Sequence, residues 1–202
     1  MVFATFGALR RTLLAATAAG ALVYLTGPAL AQGTPKVKFA TSEGDFVVEV
    51  YPDKAPKTVE NFLQYVKDKH YDGMIFHRVI NNFMVQGGGY DSAYAERKTR
   101  PPVVHEGREA LAKGGPKNVV GTLAMARTND PNSASSQFFI NVKDNDFLNP
   151  STQAPGYTVF GKVVGGMDVV NKIKTVPTGA GGPFPSDVPK TPIIIKSATL
   201  VN

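Results

Sequence analysis

Short apolar segments recur along the chain, each cut off by a turn: VKFAT, FVVEVY, MIFHRVI, FMVQGG, VVGTLAMA, FFINV, YTVFGKVV and PIIIKSATLV. Their β-branched and aromatic content marks them as strands. Many short antiparallel strands must hide their edges, and closure into a barrel does so. The pattern therefore predicts a mainly β fold, a barrel with two helices packed over its open ends.

The first two segments flank SEGD, a Ser/Gly/Asp turn, and read as a β-hairpin. Residues 52–57 break the second strand, and Pro56 stands where a first helical residue belongs. Val59, Phe62, Leu63 and Val66 then recur at i, i+3, i+4 and i+7, an amphipathic helix. Gly165-Gly166 followed by Val169, Ile173 and Val176 predicts a second helix before the last strand. Residues 91–118 and 177–192 are rich in Pro, Gly and charge and read as surface loops. The sequence holds no internal repeat and no dividing linker.

The first 31 residues stand apart from this pattern. Arg10 and Arg11 precede an apolar run over 12–27, and Ala29-Leu30-Ala31 is a small-x-small site, the order of a secretory signal peptide. An uncleaved anchor is the other reading, but Gly20, Gly27, Pro28 and the small-residue exit favour cleavage. The arginine pair also permits a twin-arginine route, so both export paths stay open. Cleavage leaves one domain over 32–202, long enough for a full core. Of the 22 basic residues two leave with the leader, and none of the 16 acidic ones does, so the net charge falls from +6 to +4. No run of Lys and Arg interleaves with aromatics, which excludes nucleic acid as a partner class. The chain has no cysteine and so tolerates an oxidising compartment. No heptad or broad apolar stripe calls for a dimer, and a monomer with no membrane contact after cleavage is expected.

The usual bond-breaking groups are missing. His70, His77 and His105 are the only histidines, and with no cysteine and no HxxxH-type pair no metal site is expected. Ser135 and Ser136 lie in PNSASSQ without a GxSxG elbow and read as turn residues. Glycines 87–89 are followed by neither Lys-Ser nor a helical pattern, so they bend a strand end and do not cradle phosphate. What remains is Arg78 in FHRVINNFMVQGGGY, a charge among apolar residues. On the residues alone it is either a functional cation or a paired structural one.

FHRVINNFMVQGGGY, GTLAMARTNDPNSASSQFFIN at 121–141 and YTVFGKVVGGMDVV at 157–170 resemble the cyclophilin family of peptidyl-prolyl cis-trans isomerases. The likeness runs from about Lys36 to Val201, and with the leader it is nearest to exported bacterial members. It implies a closed eight-stranded antiparallel β-barrel capped by two α-helices. It also implies a cofactor-free isomerase that acts on proline-containing unfolded or extended polypeptides, in the periplasm or, alternatively, secreted. A chaperone-like binder of proline segments is the rival within the same fold.

By the same resemblance Arg78 matches the catalytic arginine and Gln86 the polar residue beside it, which bonds substrate or fixes the guanidinium. Phe83, Met84 and Phe139 match the pocket for the proline ring. Ala126, Arg127 and Thr128 match the segment whose backbone pairs with the substrate, and Gln137, Leu148 and Tyr157 complete the groove. His77 is expected to be structural. Asn81-Asn82 replaces a common Pro-Gly, Tyr157 a common histidine, and Phe147 the tryptophan of many members. The last change removes an indole N–H donor, so cyclosporin, the family's inhibitor, is expected to bind weakly.

Overall fold

Alternation in KVKFAT and GDFVVEV builds a β-hairpin, β1 (Lys36–Thr41) with β2 (Gly44–Val50). Phe39 stands opposite Phe46, and their rings stack at 5.0 Å. The computed structural model describes residues 1–3 and 33–201, the latter part of a unit that begins at Gln32. The leader read into residues 1–31 falls almost wholly outside the described residues. Among them no helix is long and apolar enough to cross a membrane.

After the hairpin comes α1 (Pro56–Lys67), with Pro56 in its first turn. Ala55 gives its N-terminus no side-chain cap. The free amides of that first turn are met from far along the chain, because the buried Glu106 carboxylate accepts from Lys57 N (3.1 Å), Thr58 N (2.8 Å) and Thr58 Oγ1 (2.7 Å). The helix buries Val59, Phe62 and Val66, as its period requires.

The chain continues through β3 (Arg78–Ile80), β4 (Met84–Gly87), α2 (Gly107–Ala112), β5 (Thr122–Met125), β6 (Phe138–Asn141) and β7 (Val159–Gly165). It ends with α3 (Met167–Ile173), β8 (Thr178–Gly181), β9 (Phe184–Pro189) and β10 (Ile195–Val201). Eight strands form one antiparallel sheet in the order β10-β1-β2-β7-β5-β6-β4-β3, and β8 and β9 form a separate ribbon.

Three expectations need correction. The sheet is a curled one and not a closed barrel, because its end strands β3 and β10 are not laddered together. Its ends approach through the residues just before them: Gly73 N donates to Ile195 O, Ile195 N to Met74 O and Phe76 N to Ile193 O. MIFHRVI is therefore strand only from Arg78. Two capping helices were expected, and the described residues hold a third, α2, within 91–118. The ribbon occupies 177–192, a stretch whose prolines and glycines hid its pairing.

Period two then divides the side chains. From β4 to β7, Val85, Leu123, Phe138, Ile140 and Phe160 point to a core shared with Phe39, Phe62 and Tyr71, where Phe62 lies 5.1 Å from Phe160 and 6.0 Å from Phe138. Each fully buried ring of this kind stabilises the fold by roughly 1.5–3 kcal/mol. Their sequence neighbours Met84, Ala124, Phe139 and Val159 face the other way and form a second apolar cluster with Leu148.

Candidate active site

The second cluster is the floor of a cleft of about 320 Å3. Register assembles it. Arg78 pairs with Gln86, Gln86 with Phe139, Phe139 with Ala124 and Ala124 with Val159, so one cross-strand row runs over four ladders. A register shift between Leu123 and Ala124 puts Ala124 opposite Val159 and skips Phe160, which stays in the core. Residues in such a row share a face. A guanidinium, a carboxamide and an apolar surface are thus neighbours, although Arg78 and Val159 stand 81 positions apart in the chain.

Arg78 is half-buried and lines the cleft. None of the ion pairs among the described residues involves it, and no side-chain hydrogen bond holds it. That observation separates it from Arg100, which pairs with Asp68, and from Arg97, which donates to the carbonyls of His70 and Asp72. The reading of Arg78 as a paired structural cation therefore fails. No hydrogen bond joins Gln86 to the guanidinium, and its Nε2 donates to Gln137 Oε1 at 3.0 Å. Gln137 in turn lies against Gly89, where a β-carbon would sit 2.4 Å from Gln137 Cδ and would push that side chain aside. Gly88 has φ +84° and bends the strand end, as the glycine run suggested.

Phe83, Met84 and Phe139 meet over the floor, with Ile80 packed beside them. Asn82, at φ +61°, takes the left-handed turn before Phe83, a conformation asparagine tolerates. The backbone of Phe83 is held from below, since Asn145 Nδ2 donates to Phe83 O (2.9 Å) and to Asn141 Oδ1 (2.8 Å). Leu148 and Tyr157 close one side, with the Tyr157 ring edge-on to Phe139 at 5.5 Å. The Arg127 guanidinium lies 4.6 Å over the Tyr157 ring and donates to Gly156 O, so it is fixed on the rim.

Two expected residues fall outside the cleft. Phe147 is 73% exposed and stacks on Phe83 at 5.7 Å. Thr128 lines an adjoining cavity of about 570 Å3 instead. Its amide already donates to Ser133 Oγ, and that of Ala126 donates to Gln137 O, so these two N–H groups are taken internally. Ala126, Arg127, Gln86 and Gln137 line both spaces and join them.

His77, Tyr90 and Phe184 line the cleft without having been expected there. His77 is 2% exposed, its Nδ1 has no hydrogen-bond partner, and burial first and the Arg78 charge second push its pKa down to about 4. Its ring is neutral at pH 7. Tyr90 donates to Glu96 Oε1 at 2.6 Å, which with burial holds its phenol up at about 12. Among the described residues no group of three or more His, Cys, Asp or Glu is placed to hold a metal.

The family model for cyclophilin type peptidyl-prolyl cis-trans isomerase/CLD matches residues 36–200. Similar curated proteins include peptidyl-prolyl cis-trans isomerase B of Escherichia coli K12, 53% identical over 167 residues, which are 81% of this chain and 98% of the relative. Peptidyl-prolyl cis-trans isomerase A of Dickeya dadantii is 45% identical over 192 residues, 95% of this chain and 98% of the relative. A crystal structure of a Cryptosporidium parvum cyclophilin type isomerase superposes with a TM-score of 0.66 at 27% identity, covering 84% of this chain and 98% of that one. The same protein solved in the presence of the dipeptide Ala-Pro gives 0.65 at 26% identity, over 83% and 99%.

Proposed function

Because the chain belongs to the cyclophilin-type peptidyl-prolyl cis-trans isomerases, its activity is rotation about the bond before proline, and we propose that Arg78 supplies the catalytic interaction. The amide resists rotation by roughly 18–20 kcal/mol because it is conjugated. As the bond twists, the proline nitrogen regains its lone pair and becomes an acceptor. A donor aimed there stabilises the twisted state and has little to bind in either planar state, which is the condition for catalysis.

The unpartnered guanidinium of Arg78 beside an apolar floor carries this reading. Phe83, Met84 and Phe139 hold the proline ring still, while Gln86, oriented by Gln137, is left to bond the substrate chain. The substrate is an unfolded or extended proline-containing polypeptide, in keeping with the Ala-Pro dipeptide present with the Cryptosporidium relative. The protein works after export, as residues 32–202, on other exported chains in the periplasm. The leader pattern of residues 1–31 supports this.

The test is the cis-to-trans exchange rate of a short Xaa-Pro peptide, read by NMR, with wild type and with Arg78→Ala. Loss of one such donor is expected to lower kcat about 10²-fold or more. An alanine variant that keeps most of the rate would remove Arg78 from catalysis. A wild type that shifts the peptide's resonances without speeding exchange would make the cleft a binding site only.

A further inference from the structure

One wall of the cleft belongs to none of the groups used so far. Beyond Arg78 stand three rings: Phe184 lies 5.4 Å from His77, nearly parallel, and 5.1 Å from Tyr90, edge to face. His77 and Tyr90 come from the segment around β3 and β4, but Phe184 is brought from about a hundred residues away by the β8–β9 ribbon. The ribbon is seated closely. Gly182 has φ +51°, and a β-carbon there would sit 2.3 Å from the Tyr94 ring, so the turn rests directly on that tyrosine. Pro183 and Pro185 flank Phe184 and restrict its backbone. Phe184 is therefore held in place, yet its ring is only half-buried, and the open part faces the cleft.

The two ends of the bound chain consequently meet different surroundings. Through Gln86 and Gln137 the cleft opens into the adjoining cavity, whose lining includes Lys98, Thr99, Thr128 and Ser133. On the side of β3, against which β9 packs, its lining is aromatic, His77, Tyr90 and Phe184. A preset aromatic wall gains from a large apolar side chain and gives nothing to glycine.

We infer that Phe184 is a specificity-determining residue, against which a large apolar or aromatic side chain next to the substrate proline packs. This rests on the isomerase reading above. It makes the β8–β9 ribbon part of the substrate site, although none of its residues touches the rotating bond.

The experiment measures kcat/KM by NMR exchange for two peptide series, one varying the residue before proline and one the residue after it, each with Gly, Ala, Leu and Phe. Wild type, Phe184→Ala and Phe184→Leu are compared. In one series the ratio of Phe-flanked to Gly-flanked rates is expected to fall about three- to tenfold in the alanine variant, and the leucine variant should restore most of the preference for Leu. The series that responds tells which neighbour of proline meets the wall. Rates that change by one common factor for every peptide, or ratios equal to wild type in both series, overturn the inference and leave the isomerase reading standing. A wild type that accelerates no peptide overturns both.

Discussion

His77 offers a direct test of how the site is built, through the pH dependence of stability. It is 2% exposed and its Nδ1 is unpartnered, so protonation would put a charge into an apolar pocket next to Arg78. Its pKa falls from 6.5 to about 4 on folding, chiefly by desolvation and then by the Arg78 charge. The unfolded chain therefore binds more protons between these values, and stability must rise with pH across that window. It is fully present above about 6.5 and is lost as pH falls towards 4. At about 1.36 kcal/mol per pH unit the loss is about 3 kcal/mol, a large part of a usual total of roughly 5–15 kcal/mol. Burial also lowers His70 and His105, so wild type falls more steeply than His77 alone requires. His77→Phe keeps a ring against Phe184 and Tyr90 and has nothing to titrate there. Urea unfolding from pH 7 to 4.5 should show the gap between wild type and His77→Phe shifting by 2 kcal/mol or so in favour of the variant at low pH. Parallel curves would refute the reasoning. The second cause gives an independent sign: in Arg78→Ala the His77 titration, followed by NMR, should move up.

Two further substitutions bear on the frame and on the rim. Glu106→Gln replaces one of the two oxygens that accept from Lys57 N, Thr58 N and Thr58 Oγ1 with an amide that cannot accept, and it removes the negative charge at the start of α1. It should lower unfolding free energy by about 2 kcal/mol, with kcat of the folded protein unchanged. Phe147→Trp restores an N–H on an exposed ring stacked over Phe83, and titration calorimetry should find cyclosporin bound about tenfold more tightly, the worth of one added hydrogen bond. Equal affinities would show that the missing donor does not limit inhibitor binding.

Much of this was legible in the sequence because period two carries both the core and the floor. FFIN and TLAM each send alternate residues to opposite faces, and all the strands of the main sheet lie where the apolar segments predicted them. What escaped was held by distant contacts. GREALA is too short to show a period, so α2 was hidden in a loop. Each pair of the ribbon sets a Gly or Pro against a strand former, Thr178 with Pro189, Gly179 with Val188 and Gly181 with Phe184, so the strand signal is diluted at every rung. Phe184 left one trace, a lone aromatic between two prolines in a stretch otherwise without large apolar residues over 177–187. Closure was overestimated for a different reason: hiding an edge does not require a ladder, and three hydrogen bonds from 73–76 to 193–195 bring the sheet's ends together.

The register explains why so little chemistry suffices. Slipping any strand of the row Arg78–Gln86–Phe139–Ala124–Val159 by one residue would turn its side chain into the core and bring a core residue out. The lining of the cleft and the packing of the core are thus specified by the same alternation. The reaction breaks no bond and needs no proton relay, so the site requires one charged donor that nothing else claims, and a surface that holds a ring while the chain beyond it turns. On the proposed mechanism Arg78 meets the first condition, because its neighbours on both sides, His77 and Val79, are buried and carry no charge at pH 7. A carboxylate on any facing strand would have bound the guanidinium and removed it from the reaction. The outer face of β4, β5 and β6 presents Met84, Gln86, Ala124, Phe139 and Asn141 and carries no acid.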